Sequence, residues 1–153
     1  FMGSLTNTKA PEFKLADTSG KLISLNHFRG KWVVIFFYPK DDTPGCTKEA
    51  CNFRDDYSAI NSLNAHVIGI SLDKTTSHQK FKEKYHLPFM LLSDPKGNVA
   101  KKYGALFKFI FFKFSKRHSF IIDPKGLIRK EYRSVNPSTH SIQIVSDLKA
   151  FQR

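Results

Sequence analysis

Two apolar runs in the chain have the composition of buried strands. Residues 32–38 read WVVIFFY, and residues 67–72 read VIGISL. Runs of this length that are rich in β-branched and aromatic residues are typical of strands covered on both faces of a sheet. We therefore predict two buried strands, with the first at the centre of the sheet.

Three further segments carry helical spacing of polar and apolar residues. Apolar side chains three or four positions apart predict an amphipathic helix over residues 44–64. They are Ala50, Phe53, Tyr57, Ile60 and Leu63. A second helix is predicted over residues 75–85, ended by Pro88, and a third over residues 138–151. The inward residues of the third helix are expected to be Ile142, Val145, Leu148 and Phe151.

The remaining segments complete an α/β pattern. Apolar and polar residues alternate on either side of the turn at residues 17–20, which predicts an N-terminal β-hairpin. Further strands are expected at residues 89–92, 119–122 and 127–133. A strand, helix, strand, helix order followed by a hairpin and a helix indicates a mixed central sheet with flanking helices. This order fits the thioredoxin-like architecture.

Length and composition favour a single domain. A chain of 153 residues that is 41% hydrophobic can bury one core, and we expect that domain at residues 5–153. Residues 1–4, FMGS, are expected to be a cloning scar or a truncation point. We expect an intracellular reducing compartment: the cytoplasm, or a plastid or the nucleus if a targeting segment was removed. The apolar runs are shorter than the roughly 20 residues of a membrane helix, so no membrane span is expected.

The chain is strongly basic. Its 25 Lys and Arg residues against 13 Asp and Glu give a formal net charge of +12. The basic residues are spread along the sequence, which favours a solvated cationic surface over a nucleic-acid or membrane contact. A basic binding protein on the same scaffold, associated with nucleic acid, remains the alternative to an enzyme.

The two cysteines, Cys46 and Cys51, are the candidate reactive groups. Two cysteines exclude a multi-disulfide scaffold and leave a reactive pair, half a metal site or inert thiols. Thr43 and Pro44 predict a helix start, with the Thr43 hydroxyl as N-cap. Cys46 would then lie in the first turn, where unpaired amide groups and the helix dipole stabilise a thiolate.

The spacing of the cysteines restricts how they could react together. If residues 46–51 stay helical, the two Cα atoms lie roughly 8 to 9 Å apart, whereas a disulfide needs less than about 7 Å. A bridge therefore requires the first helical turns to unwind. A zinc site is disfavoured because the spacing is unusual and no histidine pair accompanies the cysteines. We expect no metal and no cofactor, and a CxxC oxidoreductase motif is absent.

Residues 39–46 read PKDDTPGC, which resembles the active-site signature of the peroxiredoxins, Pro-x-x-x-Thr-x-x-Cys. The continuation TKEAC at residues 47–51 is similar to the Q-type subfamily, also called bacterioferritin comigratory proteins. The resemblance extends to APEF at residues 10–13, FRGK at 28–31 and FIIDPKG at 120–126. It implies a thiol-dependent peroxidase that reduces hydrogen peroxide and organic hydroperoxides.

The resemblance also implies roles for individual residues. Cys46 would be the nucleophile that becomes a sulfenic acid. Thr43 would help to hold the thiolate and the peroxide, and Pro39 would shield the pocket from water. Arg117 matches the family arginine that stabilises charge on sulfur and peroxide oxygen, and Glu49 would orient it.

Cys51 resembles the resolving cysteine of the atypical two-cysteine members. It would condense with the sulfenic acid of Cys46 to form an intramolecular disulfide, which thioredoxin or a related dithiol would reduce. The family implies a monomer, because this bond closes within one chain. Two alternatives remain: an external thiol resolves Cys46, or Cys51 is only a buried helical residue.

Residues 106–116 depart from the family in being rich in phenylalanine. Their conformation is not set by the pattern, since both a strand and a loop fit. We interpret the aromatic side chains mainly as a cover of the core beside the thiol. The alternative is an exposed rim that favours lipid or alkyl hydroperoxides or docks a partner.

Overall fold

The computed structural model describes residues 3–153, so Phe1 and Met2 of the expected scar lie outside the described residues. Nine strands, four α-helices and one 3-10 helix are found within this range. The strands are β1 (Lys14–Ala16), β2 (Leu22–Ser24), β3 (Trp32–Phe37), β4 (Ala65–Ser71), β5 (Met90–Ser93), β6 (Leu106–Phe109), β7 (Phe112–Ser115), β8 (Ser119–Ile122) and β9 (Ile128–Tyr132). The helices are α1 (Pro44–Ser62), α2 (Thr75–Tyr85), α3 (Asn98–Lys102) and α4 (His140–Phe151), with the 3-10 helix at Leu25–Phe28.

Seven strands form one mixed sheet in the order β2-β1-β5-β4-β3-β8-β9. The strand β3 runs parallel to β4 and antiparallel to β8, and β4 runs parallel to β5. The predicted N-terminal hairpin, β1 and β2, joins this sheet through the pair Ala16 and Ser93. The α/β fold with a mixed central sheet and an N-terminal hairpin is therefore confirmed.

The strand β3 is buried along its whole length and divides two cores. Val33, Ile35 and Phe37 face the core covered by α3 and the 3-10 helix. Val34 and Phe36 face the core covered by α1, α2 and α4. Full burial of each such side chain adds about 1.5–3 kcal/mol to the free energy of unfolding. The carboxyl end of β3, where the loop to α1 begins, is consequently held on both sides.

The inward face of α4 differs from the predicted one at Ile142, which is 66% exposed. The buried residues of this helix are His140, Ser141, Ile144 and Leu148. Ile142 lies about 100° around the helix from Ser141, which turns it away from the sheet. Within residues 3–153, no helix has the length and apolar character needed to cross a bilayer.

The phenylalanine-rich segment forms a separate two-stranded hairpin of β6 and β7. Leu106 pairs with Ser115, and Phe109 pairs with Phe112 beside the turn. Most side chains of the hairpin are exposed, and Phe111 at its tip is 95% exposed. The interpretation of these aromatics as a core cover is therefore wrong.

Candidate active site

The reactive loop connects the carboxyl end of β3 to the start of α1. Pro39 is half-buried just after the strand, and Thr43 occupies the N-cap position, with Pro44 as the first helical residue. The Thr43 hydroxyl does not cap the helix as predicted. It donates instead to the Lys40 carbonyl at 2.8 Å, because the tight loop brings that acceptor within reach. The lone pairs of this hydroxyl remain able to accept a hydrogen bond.

Cys46 lies in the first turn of α1 and is only 1% exposed. Its Sγ lies 3.3 Å from Nη2 of Arg117. The first four amide groups of a helix have no partner in the helix, and the positive end of its dipole lies at this terminus. The guanidinium adds a full positive charge at hydrogen-bond distance. Both the helix N-terminus and the guanidinium are favourable to a negative charge at this position.

The sheet register brings Arg117 to this position. Because β8 is antiparallel to β3, the residues just before β8 lie beside the carboxyl end of β3. The Phe37 amide donates to the His118 carbonyl at 2.8 Å and fixes this segment. A Cβ atom at Gly45 would lie 3.0 Å from Nη2 of Arg117, so glycine leaves room for the guanidinium to approach the helix.

Glu49 holds the other end of the guanidinium. Its Oε1 accepts a hydrogen bond from Nη1 of Arg117 at 2.9 Å, one turn after Cys46. Burial acts to lower the pKa of Arg117, but the charges of Cys46 and Glu49 and their hydrogen bonds raise it above its usual value. Arg117 is therefore a permanent cation placed between two acidic groups.

Glu49 is itself perturbed by its surroundings. Burial raises its pKa from 4.5 to about 7, although the charge and hydrogen bond of Arg117 act to lower it. Its second oxygen, Oε2, is buried without a hydrogen-bond partner among the described residues. A carboxyl group in this position exchanges its proton near neutral pH, so the charge balance around Arg117 changes in that range.

Cys51 lies on the same helix, more than one turn after Cys46, and is half-buried. Both thiols are free. With α1 continuous over residues 44–62, the Cα atoms of the two cysteines are roughly 8 to 9 Å apart. The structure thus brings Cys46, Glu49 and Arg117 into direct contact, with Thr43 and Pro39 in the adjoining loop and Cys51 outside hydrogen-bond contact with them.

Sequence reasoning missed a buried polar network beneath the loop. His78 of α2 is fully buried, with Nδ1 2.7 Å from Oδ2 of Asp41 and Nε2 3.0 Å from the Leu92 carbonyl. Both ring nitrogens of His78 therefore have hydrogen-bond partners within the protein. Tyr38 donates to Oδ1 of Asp41 at 2.6 Å. The spacing of His78 and Phe81 on α2 was a signal for this burial.

The same network fixes the loop that carries Thr43. The Asp41 amide donates to the Asp73 carboxylate at 2.8 Å. The neighbouring Asp42 has a positive φ of 56° and bonds to Lys84 and to Tyr85 of α2. The loop is therefore attached to α2 through two successive residues, and this attachment sets the direction in which α1 begins.

Asp41, Asp73 and His78 are also a possible cation site, since their ligand atoms lie within 4.8 Å of one another. These atoms already have protein partners. Oδ2 of Asp73 accepts from the Ser71 hydroxyl at 2.6 Å, and Oδ2 of Asp41 accepts from the Ser77 hydroxyl at 2.8 Å. The potential ligand atoms thus already take part in hydrogen bonds within the protein, so we interpret the cluster as a structural network that holds the loop.

We predict that His78→Leu lowers the free energy of unfolding by about 3 kcal/mol, because it removes one partner of a buried hydrogen-bonded pair. His27→Leu is the matched control, since His27 is exposed, and it should cost less than about 0.5 kcal/mol. Urea unfolding at neutral pH measures both. Equal losses in the two variants would contradict the anchoring of the loop by His78.

We predict that Glu49→Gln changes the pH dependence of stability. The pKa of Glu49 is higher in the folded state than in the unfolded state. Its contribution to the free energy of unfolding is therefore fully present below about pH 4.5 and is lost as pH rises through about 7. The free energy of unfolding of the parent minus that of Glu49→Gln should fall by about 3 kcal/mol between about pH 4 and pH 8.

Glu83→Gln, on the exposed side of α2, is the control for the Glu49 measurement and should show a clearly smaller change. Urea unfolding at a series of pH values measures the difference for each variant. A difference between parent and Glu49→Gln that stays level or rises with pH would overturn the assignment of the raised pKa to Glu49.

Comparison with known proteins identifies the family. Residues 6–131 match the model of the AhpC/TSA family. Peroxiredoxin Bcp of Bacillus subtilis (strain 168) is 39% identical over 150 residues, which cover 92% of each protein. A chloroplastic peroxiredoxin Q of Oryza sativa subsp. japonica is 44% identical over 132 residues. These cover 86% of this chain but 60% of the rice protein.

Solved structures agree with the sequence relatives. Peroxidoxin BcpB from Mycobacterium tuberculosis superposes with a TM-score of 0.93 at 32% identity, covering 99% of this chain and 100% of that one. A Xanthomonas campestris bacterioferritin comigratory protein, described for alkyl peroxide reduction, gives a TM-score of 0.87 at 28% identity and 92% coverage of each chain. With its thioredoxin-like fold and its buried thiol facing a guanidinium, the chain belongs to the AhpC/TSA family and is a peroxiredoxin of the Bcp and peroxiredoxin Q group, a thiol-dependent peroxidase.

Proposed function

We propose that residues 5–153, acting as one domain, reduce hydrogen peroxide and organic hydroperoxides through a sulfenic acid on Cys46. The observation that carries this proposal is the 3.3 Å contact between Nη2 of Arg117 and the buried Sγ of Cys46. Thiolates are the nucleophilic form of cysteine, and a cation beside a helix N-terminus favours that form. The alkyl peroxide reduction described for the Xanthomonas campestris relative supports organic hydroperoxides as substrates.

In the first step, the thiolate sulfur of Cys46 attacks the nearer oxygen of the peroxide. A sulfur–oxygen bond forms, the O–O bond breaks, and its electron pair leaves with the far oxygen as hydroxide or alkoxide, which takes a proton from water. The product at Cys46 is the sulfenic acid. Negative charge moves from sulfur to oxygen, and fixed donors stabilise it without reorganisation. Arg117 and the first-turn amides are the donors that we assign to this task.

Three neighbouring residues support this step. Thr43 donates to the Lys40 carbonyl at 2.8 Å, so we assign its free lone pairs to a hydrogen bond from the peroxide. Pro39 is half-buried at the start of the loop and has no N–H to bind water, which suits it to shielding the thiol from solvent. Glu49, bonded to Nη1 of Arg117, keeps the guanidinium turned towards Cys46.

In the second step, we propose that the Cys51 thiol attacks the sulfenic sulfur and displaces water, forming an intramolecular disulfide. The first turns of α1 must unwind for this bond to close. The Asn52 side chain donates to the carbonyls of Pro137 and Ser138 at 3.1 Å. These bonds attach the helix just beyond Cys51, so unwinding is confined to residues 44–51 and must release Glu49 from Arg117.

A thioredoxin-type dithiol would then reduce the disulfide and return both thiols. Because the bond closes within one chain, we propose that the catalytic unit is a monomer. The alternative of a basic nucleic-acid-binding protein depends on net charge alone, whereas the relatives favour the peroxidase. The cellular compartment expected from the sequence stays a prediction.

We predict that Arg117→Gln lowers the rate of peroxide-dependent oxidation at Cys46 by about 100-fold, the usual effect of removing a donor to transition-state charge. Cys46→Ser should abolish the reaction. Arg29→Gln is the matched control, because Arg29 is an exposed arginine, and it should change the rate less than about twofold. Stopped-flow loss of free thiol after addition of hydrogen peroxide measures all three, and a full rate in Arg117→Gln would overturn the proposal.

We predict that one equivalent of peroxide lowers the intact mass of the parent by two hydrogens, as a Cys46–Cys51 disulfide requires. In Cys51→Ser the same treatment should add one oxygen at Cys46. Mass spectrometry of the whole protein and of its peptides measures both changes. An added oxygen in the parent, with Cys51 still alkylated by a thiol reagent, would instead assign resolution to an external thiol.

A further inference from the structure

The two-stranded hairpin, which we call the aromatic hairpin (residues 106–115), exposes a continuous apolar tip. Phe109, Ile110, Phe111 and Phe112 are 61%, 68%, 95% and 72% exposed. Four adjacent large apolar side chains at this exposure are unusual on a protein surface and mark an interaction site. None of the four contributes to either buried core. Packing within the chain therefore does not explain them.

The turn itself is unfavourable for the residues that form it. Ile110 is the first residue of the two-residue turn and has a positive φ of 54°. Glycine or asparagine is favoured at such a position, and a β-branched side chain there strains the backbone. Strained backbone positions cluster at functional sites, so an outlier of this kind points to a role for the tip. The apolar tip is thus maintained against the preference of the turn.

Lysines surround the base of this tip. Lys108 and Lys113 are direct cross-strand partners, an arrangement in which like charges destabilise a hairpin. The groove between the aromatic hairpin and α3 adds Lys96, Lys101 and Lys116, with no carboxylate among the described residues that line it. An anionic surface would relieve this repulsion.

The order along the aromatic hairpin places apolar groups outermost and cations one residue behind them. Successive residues of a strand are about 3.3 Å apart, so Lys108 and Lys113 lie just behind Phe109 and Phe112. Lysine side chains extend beyond their backbone position to reach polar headgroups. We propose that the aromatic hairpin docks this protein on an anionic lipid surface, with its tip among the acyl chains and its lysines on the headgroups.

A lipid surface fits the hairpin better than a single-stranded nucleic acid. Residues 107 and 109 lie on one face of β6 and Lys108 on the other, so bases could not stack on the rings while the backbone contacts the lysines. Phe107 and Phe114 already stack on each other, with ring centroids 4.7 Å apart. A second copy of the chain would bring the two lysine groups together. A bilayer accepts both the apolar tip and the cations.

Docking would also orient the reactive loop. A groove of about 510 Å³ between the aromatic hairpin and this loop is lined by both apolar and charged residues: Pro39, Lys40, Leu72, Asp73, Phe112, Lys113 and Phe114. With the tip inserted, this groove faces the bilayer. Its apolar residues Leu72, Phe112 and Phe114 then suit hydroperoxides on acyl chains, a substrate class that rests on the proposed peroxidase function.

The direct test is sedimentation of the reduced whole protein with vesicles, without peroxide. Vesicles of phosphatidylcholine with about one-quarter phosphatidylserine should bind at least about tenfold more tightly than pure phosphatidylcholine. Phe111→Ser should weaken binding to the phosphatidylserine vesicles at least about tenfold. The double variant with Lys108→Gln and Lys113→Gln should weaken it about 25-fold. Ile142→Ser and Lys149→Gln are the matched controls on α4, with exposed side chains outside the aromatic hairpin, and should bind like the parent.

Ile110→Asn separates docking from folding, because asparagine tolerates the positive φ of the turn. We expect its thermal unfolding to be unchanged or improved while its vesicle binding falls. Docking on lipid would be overturned by equal binding to both vesicle types, by unchanged binding of Phe111→Ser and Ile110→Asn, or by a dimer or an oligonucleotide complex in place of vesicle binding. Peroxide is absent from the assay, so such a failure leaves the proposed function intact.

Discussion

The contact between Arg117 and Cys46 is the interaction on which the rest of the site depends. Its partners are 71 positions apart in sequence and meet because β8 runs antiparallel to β3. A buried cysteine needs compensation for the cost of its charge, which the guanidinium and the first-turn amides supply. Glu49 then fixes the guanidinium from its other side. The sheet, the helix start and one carboxyl group thus act together on a single sulfur atom.

The proposed reaction combines a fixed loop with a helix whose first turns open. The network of Asp41 and His78 attaches the loop to α2 below the thiol, while the proposed disulfide requires residues 44–51 to unwind. The two demands are compatible because they fall on opposite sides of Thr43. We assign Asn52 to the end of the segment proposed to unwind, since its bonds to the chain before α4 lie just beyond Cys51. In this proposal the anchored loop positions Thr43, and motion is limited to about the first two turns of α1.

Features set by local sequence could be predicted, and those set by distant contacts could not. The apolar run of β3 and the Pro44 start of α1 follow from neighbouring residues alone. Arg117 was found only through the family resemblance, because nothing in its own segment of sequence distinguishes it from the other basic residues. The Thr43 cap was wrong since the Lys40 carbonyl competes for the same hydroxyl. The aromatic hairpin was misread because its exposed phenylalanines do not follow the rule that apolar residues fill the core.

The most direct test of the central claim is the rate at which a neutral alkylating reagent modifies Cys46 at neutral pH, compared between Cys51→Ser and Cys51→Ser with Arg117→Gln, so that one thiol reports in both. If the Arg117 guanidinium activates Cys46, the variant that lacks it is alkylated clearly more slowly. Equal rates in the two variants would contradict the account.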